Sequence, residues 1–568
     1  MTTIQQVSDT EQRTEGMDVL RILLGLALIL PALLACLAGL VAPTVNTLIT
    51  GMQNTSLIGP AQFVGLANYV RLFADKVFAR AWGFTLQVAV VRVLAAGIVP
   101  PLLALAVAPF GRRVRLPLRL LFTVPLAMFA PVSLALVWLA ALNPTSGFLR
   151  GTGLALSDPV RAGWTFLLVD ALATFGIACG IGLIVFLAAR QESLSRDLAR
   201  IKTLLAVWGI GALAAAALAL QSFTLNYALT GGGPLNVTMT LALYQYNLAF
   251  RNLRFGYGAA AATITLAVLM LLGLIASLIV LFTGLRVEFA LSKNAGRAEA
   301  GAGEPVQRAP LAIPLLVVLL PISLALCTFG ALPSAWNLLN ALPAAFGELA
   351  QRVPVGRVLV NTLVPPMMAL LAQLPLAYLA ALGIGALRPL GKWSEALLVP
   401  FGLWLFVGVE PLSIAAYQTA RGASLLNTLI GLTPPMMLSV PMLFVFTLFF
   451  KGQEPRWRAA READPSGVRA FFTQLVLPSL PLVALLACVA LLISTQDLLW
   501  PLLIAAKPEY RTASVTLLQL FGMFSAKWQL IAACITLFGL PAFMFYFGVL
   551  GALQIFYLDR LTLRTGAG

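Results

Sequence analysis

Long runs of apolar residues, separated by short polar segments, constrain this chain more than any other feature of its sequence. A helix needs about 20 apolar residues to cross roughly 30 Å of hydrocarbon, and runs of this length recur along the whole chain. Only 10% of the 568 residues are charged, whereas a soluble domain carries about 25%. Because helices satisfy their own backbone hydrogen bonds in lipid, the sequence predicts an all-α polytopic membrane protein.

The apolar runs predict twelve transmembrane helices in two sets of six. The predicted spans are 20–43, 84–109, 120–142, 164–188, 203–222 and 258–285, followed by 311–333, 357–382, 395–419, 427–450, 474–493 and 529–556. This division predicts a tail at 1–19, a first half at 20–285, a linker at 286–310, a second half at 311–556 and a tail at 557–568.

The positions of lysine and arginine predict the orientation of the spans. Arg112, Arg113 and Arg115 lie together between the second and third spans, and a second basic group surrounds Arg458. Basic residues are more frequent in these alternate loops, which favours placing the loops and both termini in the cytoplasm. The net charge of +16 is spread over the loops, so anionic lipid explains it better than nucleic acid does.

Several classes of chemistry are excluded by composition. The chain has no histidine, and its five cysteines all lie within apolar runs, which argues against a His/Cys metal site and against a disulfide framework. It also contains no GxxxxGK[ST] phosphate-binding loop, so it does not hydrolyse ATP by that mechanism. The sequence therefore predicts no catalytic site, no metal site and no bound cofactor.

Short strings recur in the same order in both halves, at offsets of about 275 residues. Such internal repeats are typical of transporters. Two halves of the same orientation imply a pseudo-two-fold axis along the membrane normal, with a pathway between the halves. The matched strings are Val99-Pro100 with Leu374-Pro375, Pro131-Val-Ser-Leu-Ala135 with Pro411-Leu-Ser-Ile-Ala415, and Ile264-Thr-Leu266 with Ile535-Thr-Leu537.

A further group of strings indicates a family. They are Phe63-Val-Gly-Leu-Ala-Asn-Tyr69, Leu229-Thr-Gly-Gly-Gly-Pro234, Asn361-Thr-Leu363, Asp497-Leu-Leu-Trp500 and Arg511-Thr-Ala-Ser514. With them the chain resembles the permease subunits of carbohydrate-type ABC importers, the binding-protein-dependent sugar permeases. The first half resembles one permease of the usual pair and the second half resembles its partner. The resemblance implies the type I ABC importer permease fold, with two pseudo-symmetric six-helix halves fused in one chain.

The same resemblance implies how such a chain works. It would import a sugar or a related carbohydrate or polyol by alternating access, in the bacterial cytoplasmic (inner) membrane. Its partners would be two ATP-binding cassette ATPase subunits or domains, an extracytoplasmic solute-binding protein and membrane lipid. ATP and Mg²⁺ would be bound by the partner ATPase.

The family couples to its ATPase through a short cytoplasmic helix in an EAA…G loop, and both halves contain an altered form of that loop. Leu187 and Arg458 stand where the family has a glutamate. The resemblance assigns ATPase coupling to Ala188, Ala189, Arg190 and Glu192 in the first half and to Ala459, Ala460, Arg461, Asp464 and Gly467 in the second.

Polar residues within or at the ends of spans are the candidates for the translocation pathway. Charges at mid-membrane cost at least about 2.5–3.5 kcal/mol and usually face a cavity or a partner. An alternative interpretation is helix packing for the charged residues and an interfacial aromatic belt for the others. The candidates are Arg92, Asp170, Gln221, Asn226, Tyr227, Glu410, Gln496, Asp497 and Trp500.

Two other functions remain open at this point. A twelve-span secondary, ion-coupled transporter would also be built from six plus six spans, and the loop from Phe110 to Arg115 mildly resembles one such superfamily. A membrane enzyme or assembly scaffold is disfavoured by the missing catalytic groups. The family carries sugars, oligosaccharides, polyols and glycerol phosphates, and no residue of the sequence chooses among them.

Overall fold

A computed structural model describes residues 2–55, 61–190, 197–289, 312–463, 467–524 and 527–566. In these residues nine helices are long and apolar enough to cross a membrane. A bent pair, at an angle of 83°, makes a tenth span if its two helices are counted together. The predicted all-α polytopic fold is confirmed.

The first half begins with a helix that continues through a π-helical turn, Leu37–Val41, and ends with a strand. Its helices are α1 Thr2–Cys36, α2 Ala42–Gly51, α3 Ala67–Ala74, α4 Lys76–Gly97, α5 Val99–Val107, α6 Arg112–Ala127, α7 Pro131–Ala141, α8 Pro159–Arg190, α9 Asp197–Leu220, α10 Thr224–Leu229, α11 Leu241–Tyr246 and α12 Phe255–Thr283. Its strands are β1 Gln53–Asn54, β2 Gln62–Phe63 and β3 Arg286–Phe289.

The second half has a similar series. Its helices are α13 Ala312–Leu339, α14 Pro343–Arg352, α15 Val355–Leu382, α16 Val399–Gly402, α17 Val409–Gly422, α18 Val440–Ala463, α19 Val468–Phe471, α20 Leu477–Thr495, α21 Leu499–Ile504, α22 Ala513–Phe524 and α23 Trp528–Phe556, with β4 Leu561–Arg564. A 3₁₀-helix, Gly391–Leu398, precedes α16.

The order of elements repeats between the halves. In each, a short helix lies in the loop after the first span (α3, α14), the third span is broken (α6 and α7, α16 and α17), and the last span ends in a strand (β3, β4). This repetition supports an internal duplication. The linker boundary stays a prediction because residues 290–311 lie outside the described residues, and the first four residues of the predicted linker form β3.

Besides the predicted span at 120–142, which is broken between α6 and α7, two more predicted spans do not correspond to continuous helices. The span at 395–419 is interrupted at 403–408, between α16 and α17. The helix predicted at 427–450 begins only at Val440, because Pro434 and Pro435 lack the N–H groups that an earlier start would need. Hydropathy gives no sign of either interruption, since the residues concerned are apolar.

The first span of each half packs against the other half. Helix α1 lies against α15, and α13 lies against α5, α7 and α8. Helix α12 contacts α17 in the same way that α23 contacts α6. The largest apolar core accordingly contains residues of both halves, such as Ile29, Leu269, Ala377 and Phe446.

The last strands of the two halves pair with each other. Strands β3 and β4 are antiparallel over four residue pairs, from Arg286 with Arg564 to Phe289 with Leu561. Glu288 forms ion pairs with Arg286 at 2.9 Å and with Arg564 at 3.1 Å. We call this pairing the strand clasp, and it joins the ends of the two halves on one face of the molecule.

Candidate translocation pathway

The break between α16 and α17 lies where the two halves meet. A break inside a span leaves backbone groups that must find new partners, because lipid offers none. Gln221, at the end of α9, supplies them: its Nε2 donates to the Phe406 carbonyl at 2.8 Å, and its Oε1 accepts from the Gly408 N–H at 2.6 Å. Its Nε2 also donates to the Ala217 carbonyl at 3.1 Å. The amide of Gln221 is therefore engaged in holding the break, rather than free to bind a solute.

A second glutamine of the first half holds the first turn of α17. Gln245, which is buried, donates from Nε2 to the Glu410 carbonyl at 2.8 Å and to the Ser413 hydroxyl at 3.1 Å. The Ser413 hydroxyl in turn donates to the Glu410 carbonyl at 2.7 Å. Sequence reasoning missed Gln245, because an isolated glutamine between two predicted spans carries no signal of such a contact.

The side chain of Glu410 is partly exposed at this break. It lies in the first turn of α17, where the helix amides favour a negative charge. Discontinuous helices that present their ends at the meeting of two repeats are typical of transporter binding sites.

Asp497 follows α20 and is also partly exposed. Its Oδ1 accepts from the Leu499 N–H at 3.1 Å, so the side chain caps the start of α21. In the described part of the chain, no ion pair includes Glu410 or Asp497. Among the residues that the structure describes, neither carboxylate therefore has a basic side chain in contact.

A small polar cavity of about 10 Å³ adjoins Asp497, with room for about one water molecule. Thr512 is 5% exposed, and its Oγ1 has no hydrogen-bond partner among the described residues. The polar residues that line the cavity are Asn361, Thr362, Ser494, Thr495, Asp497 and Thr512.

Arg92 and Asp170 form a buried ion pair within the first half. Two hydrogen bonds join them, Nη2 to Oδ1 at 2.6 Å and Nε to Oδ2 at 3.0 Å. Arg92 also donates to the Ser222 hydroxyl at 3.1 Å and to the Leu218 carbonyl at 2.9 Å. The geometry favours the packing interpretation of these two charges, because each nitrogen of the Arg92 guanidinium donates to an acceptor within the protein.

Asn226 and Trp500 are packed in the interior. Asn226 is fully buried and donates from Nδ2 to the Thr238 carbonyl at 2.6 Å. Trp500 is also buried, and its Nε1 donates to the Gly431 and Thr433 carbonyls at 3.0 and 3.1 Å. Both side chains stabilise loops beside the pathway.

Aromatic rings connect the two halves on one side of the break. The ring centroids lie 5.2 Å apart for Phe223 and Tyr227, 5.5 Å for Tyr227 and Tyr246, 5.7 Å for Tyr246 and Phe250, and 5.3 Å for Phe250 and Tyr417. Because Tyr417 lies two turns along α17 from Glu410, these rings close the interface on the side toward which α17 runs. Tyr227 is the predicted pathway residue in this group.

The two predicted coupling loops differ in structure. Ala188 and Ala189 lie at the end of α8, whose last residue is Arg190, and Glu192 lies outside the described residues. In the second half, Ala459, Ala460 and Arg461 continue α18 without a break. The short separate helix that the family resemblance implies is therefore not seen at Ala459–Arg461.

The end of the second loop is partly described. The Arg461 guanidinium lies 5.9 Å from the centre of the Trp457 ring. Gly467 has φ +64° and directly precedes α19, so a residue without a Cβ suits the point where the chain turns. Asp464 lies outside the described residues.

Curated proteins match the chain in parts. The permease protein SmoG of the sulfoquinovosyl glycerol transport system of Agrobacterium fabrum is 25% identical over 285 residues, which cover 45% of this chain and 90% of that protein. The permease protein UgpE of the sn-glycerol-3-phosphate transport system of Yersinia pestis is 26% identical over 214 residues, 37% of this chain and 74% of that protein.

A third relative, the permease protein UgpA of the sn-glycerol-3-phosphate transport system of Agrobacterium fabrum, is 28% identical over 236 residues. The match covers 37% of this chain and 78% of that protein. No protein-family model matches the chain.

Proposed function

We propose that this chain, whose resemblance to the permeases of sugar and glycerol-phosphate ABC transporters is confirmed by these relatives, forms the entire membrane-spanning part of one importer. The observation that carries the proposal is length. Each relative is matched over 74–90% of itself but over only 37–45% of this chain, so the chain has room for two permeases.

The repeated order of elements supports two fused permeases. Two differently designated permeases, UgpA and UgpE, each match the chain over 37% of its length. A pair of permeases encloses a pathway at its interface, and here that interface holds the break before α17, which Gln221 and Gln245 bind, and the rings around Tyr227.

Alternating access follows from this arrangement. A solute delivered by an external binding protein enters between the halves when the rings separate, and it leaves when the opposite face opens. The chain binds no cofactor in this scheme. Two separate ATPase subunits or domains bind ATP and Mg²⁺, and they dock at the two coupling loops, Leu187–Ser195 and Arg458–Gly467.

The cargo is a sugar or a related carbohydrate or polyol. The relatives are named for sulfoquinovosyl glycerol and sn-glycerol-3-phosphate, both of which carry hydroxyl groups. The membrane is the bacterial cytoplasmic membrane, and both termini lie in the cytoplasm, as the distribution of basic residues favours.

Purification with candidate ATPases tests the proposal. We expect a stable complex whose ATP hydrolysis drives solute uptake into vesicles. Uptake by the chain alone, in the presence of an ion gradient and without ATP, would contradict the proposal and identify a secondary transporter.

Charge reversal tests the docking surface separately. Arg461→Glu combined with Asp464→Lys is expected to lower the fraction of ATPase that co-purifies by about tenfold, because both substitutions invert charge in the loop. Arg150→Glu, at an exposed position in a different loop, is the matched control and is expected to leave association unchanged. Equal recovery of ATPase with both variants would remove Arg458–Gly467 from the docking surface.

A further inference from the structure

The strand clasp exchanges the last strands of the two halves. Strand β3, which ends the first half, packs against α18 of the second half, and β4, which ends the second half, packs against α8 and α9 of the first half. Helices α8 and α18 lead into the two proposed coupling loops, and we call their last turns the stems of those loops. Each stem is therefore held by a strand that continues the last span of the other half.

The contact between β3 and the stem of the second half is close. A Cβ added at Gly452 would lie only 2.0 Å from the Val287 carbonyl oxygen, so a residue without a side chain is needed where the strand approaches the helix. The Arg456 guanidinium donates to the carbonyl of Phe289, at the end of the strand. Trp457 is buried in the same apolar core as Val287 and Phe289. These contacts bind β3 to α18 directly before the second coupling loop.

Strand β4 is bound to the first half in a similar way. Leu563 packs against an apolar cluster that contains Leu187 and Ala189, both of which are buried at the end of α8. The hydroxyl of Thr565, which follows the strand, lies 2.8 Å from the hydroxyl of Thr203 in α9. Because Leu187 is the first residue of the proposed coupling loop, β4 is bound to the first half at the point where that loop begins.

The two strands are joined to each other by side chains as well as by their pairing. Glu288 of β3 forms an ion pair with Arg564 of β4 at 3.1 Å. The rings of Phe289 and of Tyr557, which precedes β4, are stacked with their centroids 5.0 Å apart. Closely packed elements have low compressibility and transmit strain. A displacement of one stem is therefore passed to its strand, to the partner strand and to the other stem.

We infer that the strand clasp is a cross-brace that couples the two coupling loops within the chain itself. This inference rests on the proposed function, in which each loop docks one ATPase. A displacement that one ATPase causes in its loop reaches the other loop through β3 and β4. Coupling between two sites is reciprocal, so a perturbation at either stem changes the stability of the other.

Hydrogen exchange, measured by mass spectrometry on the purified chain in nanodiscs, tests the coupling because a perturbation at one stem can be read at the other. Gly452→Ala disturbs the contact of β3 with α18. It is expected to raise the exchange rate of the amides of residues 186–189, at the end of α8, by at least about fivefold through local opening. Leu563→Ala removes packing of β4 on α8 and is expected to raise exchange at residues 457–463 to a similar extent.

Two matched substitutions show whether these effects are specific. Gly539→Ala adds the same methyl group in α23, where an added Cβ would lie in open space among the described residues. Leu371→Ala shortens a leucine of α15 that is 75% exposed. Neither is expected to change exchange at either stem. Amides in the middle of α4 should keep their rates in all four variants, which would show that the fold is retained.

A covalent link between the strands gives the opposite test and does not depend on weakening the protein. Val287 and Leu563 are partners in the clasp. Opposite residues of antiparallel strands have Cα atoms about 4.5–5.5 Å apart, within the range of about 4.4–6.8 Å that a disulfide spans. Val287→Cys combined with Leu563→Cys, once oxidised, is expected to slow exchange at both stems by at least about threefold relative to the same protein after reduction.

Exchange that rises only on the side of the substitution, in either variant, would overturn the cross-brace. Unchanged exchange at the stems after oxidation of the cysteine pair would also overturn it, and this result decides if a substitution loosens α4 as well. The measurements need neither ATPase nor uptake. A negative result would therefore leave the permease assignment intact, whereas ATP-independent uptake would reject that assignment without altering the link between the stems.

Discussion

The ends of α9 and α20 occupy matching places in the two halves, and they differ in how their polar residues are used. In the first half, Gln221 bridges to the backbone of the other half and Ser222 accepts a hydrogen bond from Arg92. In the second half the matching pair is Gln496-Asp497. No side-chain hydrogen bond of Gln496 is found in the described residues, and Asp497 has no basic partner there.

This difference indicates a division of labour between duplicated segments. In the first half, this segment has a structural role, since its polar side chains form hydrogen bonds with other groups of the protein. In the second copy, the side-chain hydrogen bond found for Asp497 comes from the backbone N–H of Leu499. Duplication allows such divergence because one copy can hold the interface while the other remains available to a solute.

The largest expected effect concerns the buried ion pair between Arg92 and Asp170 in the first half. Arg92→Leu leaves Asp170, which is fully buried, without its cation, and breaking a buried pair in this way costs about 3–5 kcal/mol. Chemical unfolding of the purified chain should show this loss. Arg161→Leu, which breaks an exposed pair with Asp158, is the control and should cost less than about 1 kcal/mol.

Replacing both members of the pair refines the same test. Arg92→Leu with Asp170→Leu removes both charges, so it should be less destabilising than Arg92→Leu alone. Equal stability of the Arg92→Leu protein and the unmodified chain would mean that Asp170 has another partner, and the contrast between the halves would then be wrong.

The next effect compares the two matching glutamines directly. Gln221→Leu leaves the Phe406 carbonyl and the Gly408 N–H without their partner, at a cost of about 1–3 kcal/mol for unsatisfied groups. Gln496→Leu should cost less than about 0.5 kcal/mol, as is usual for positions away from such contacts. Hydrogen exchange at the Gly408 amide should rise in the Gln221→Leu protein alone. Similar losses of stability for both variants would contradict the proposal that Gln221 has a structural role that Gln496 lacks.

A smaller effect is expected where the second span of each half begins. Asp75 accepts from the Val77 N–H at 2.7 Å and from the Tyr244 hydroxyl at 2.7 Å, whereas Pro354 precedes α15 without a side-chain cap. Asp75→Ala should cost about 1 kcal/mol, as for other lost caps. Pro354→Ala, its counterpart, should cost less.

The capping contribution should also depend on pH. Burial raises the pKa of Asp75, but the hydrogen bonds from Tyr244, Val77 and Tyr257 outweigh it, and the pKa is lowered overall. A carboxylate with a lowered pKa stabilises the fold above its unfolded pKa of about 3.9, and the stabilisation is lost as the pH falls through the folded value. The difference in unfolding free energy between Asp75→Ala and the unmodified chain should therefore shrink below about pH 4. A constant difference would mean that the charge of Asp75 contributes nothing.

The sequence predicted the helical membrane fold because lipid imposes a length and an apolar composition on every span. It did not predict the break at 403–408, because apolar turns such as that around Trp404 look the same as apolar helix by hydropathy. It also missed the role of Gln245. It did not reveal that the side-chain amide of Gln221 forms hydrogen bonds with the Phe406 carbonyl and the Gly408 N–H. Those contacts join residues far apart in the chain, and only tertiary packing reveals them.

The strand clasp has a consequence for the order in which the protein is built. Strand β3 leaves the ribosome before any of the second half exists, and its partner β4 emerges only after the last helix of the second half, α23. Until then, the β3 amides and carbonyls that pair with β4 must be hydrated or form hydrogen bonds with other groups. The pairing that joins the two halves is therefore made only after the whole second half has been synthesised, and a chain interrupted shortly before Leu561 would keep an open strand edge to which another strand could pair.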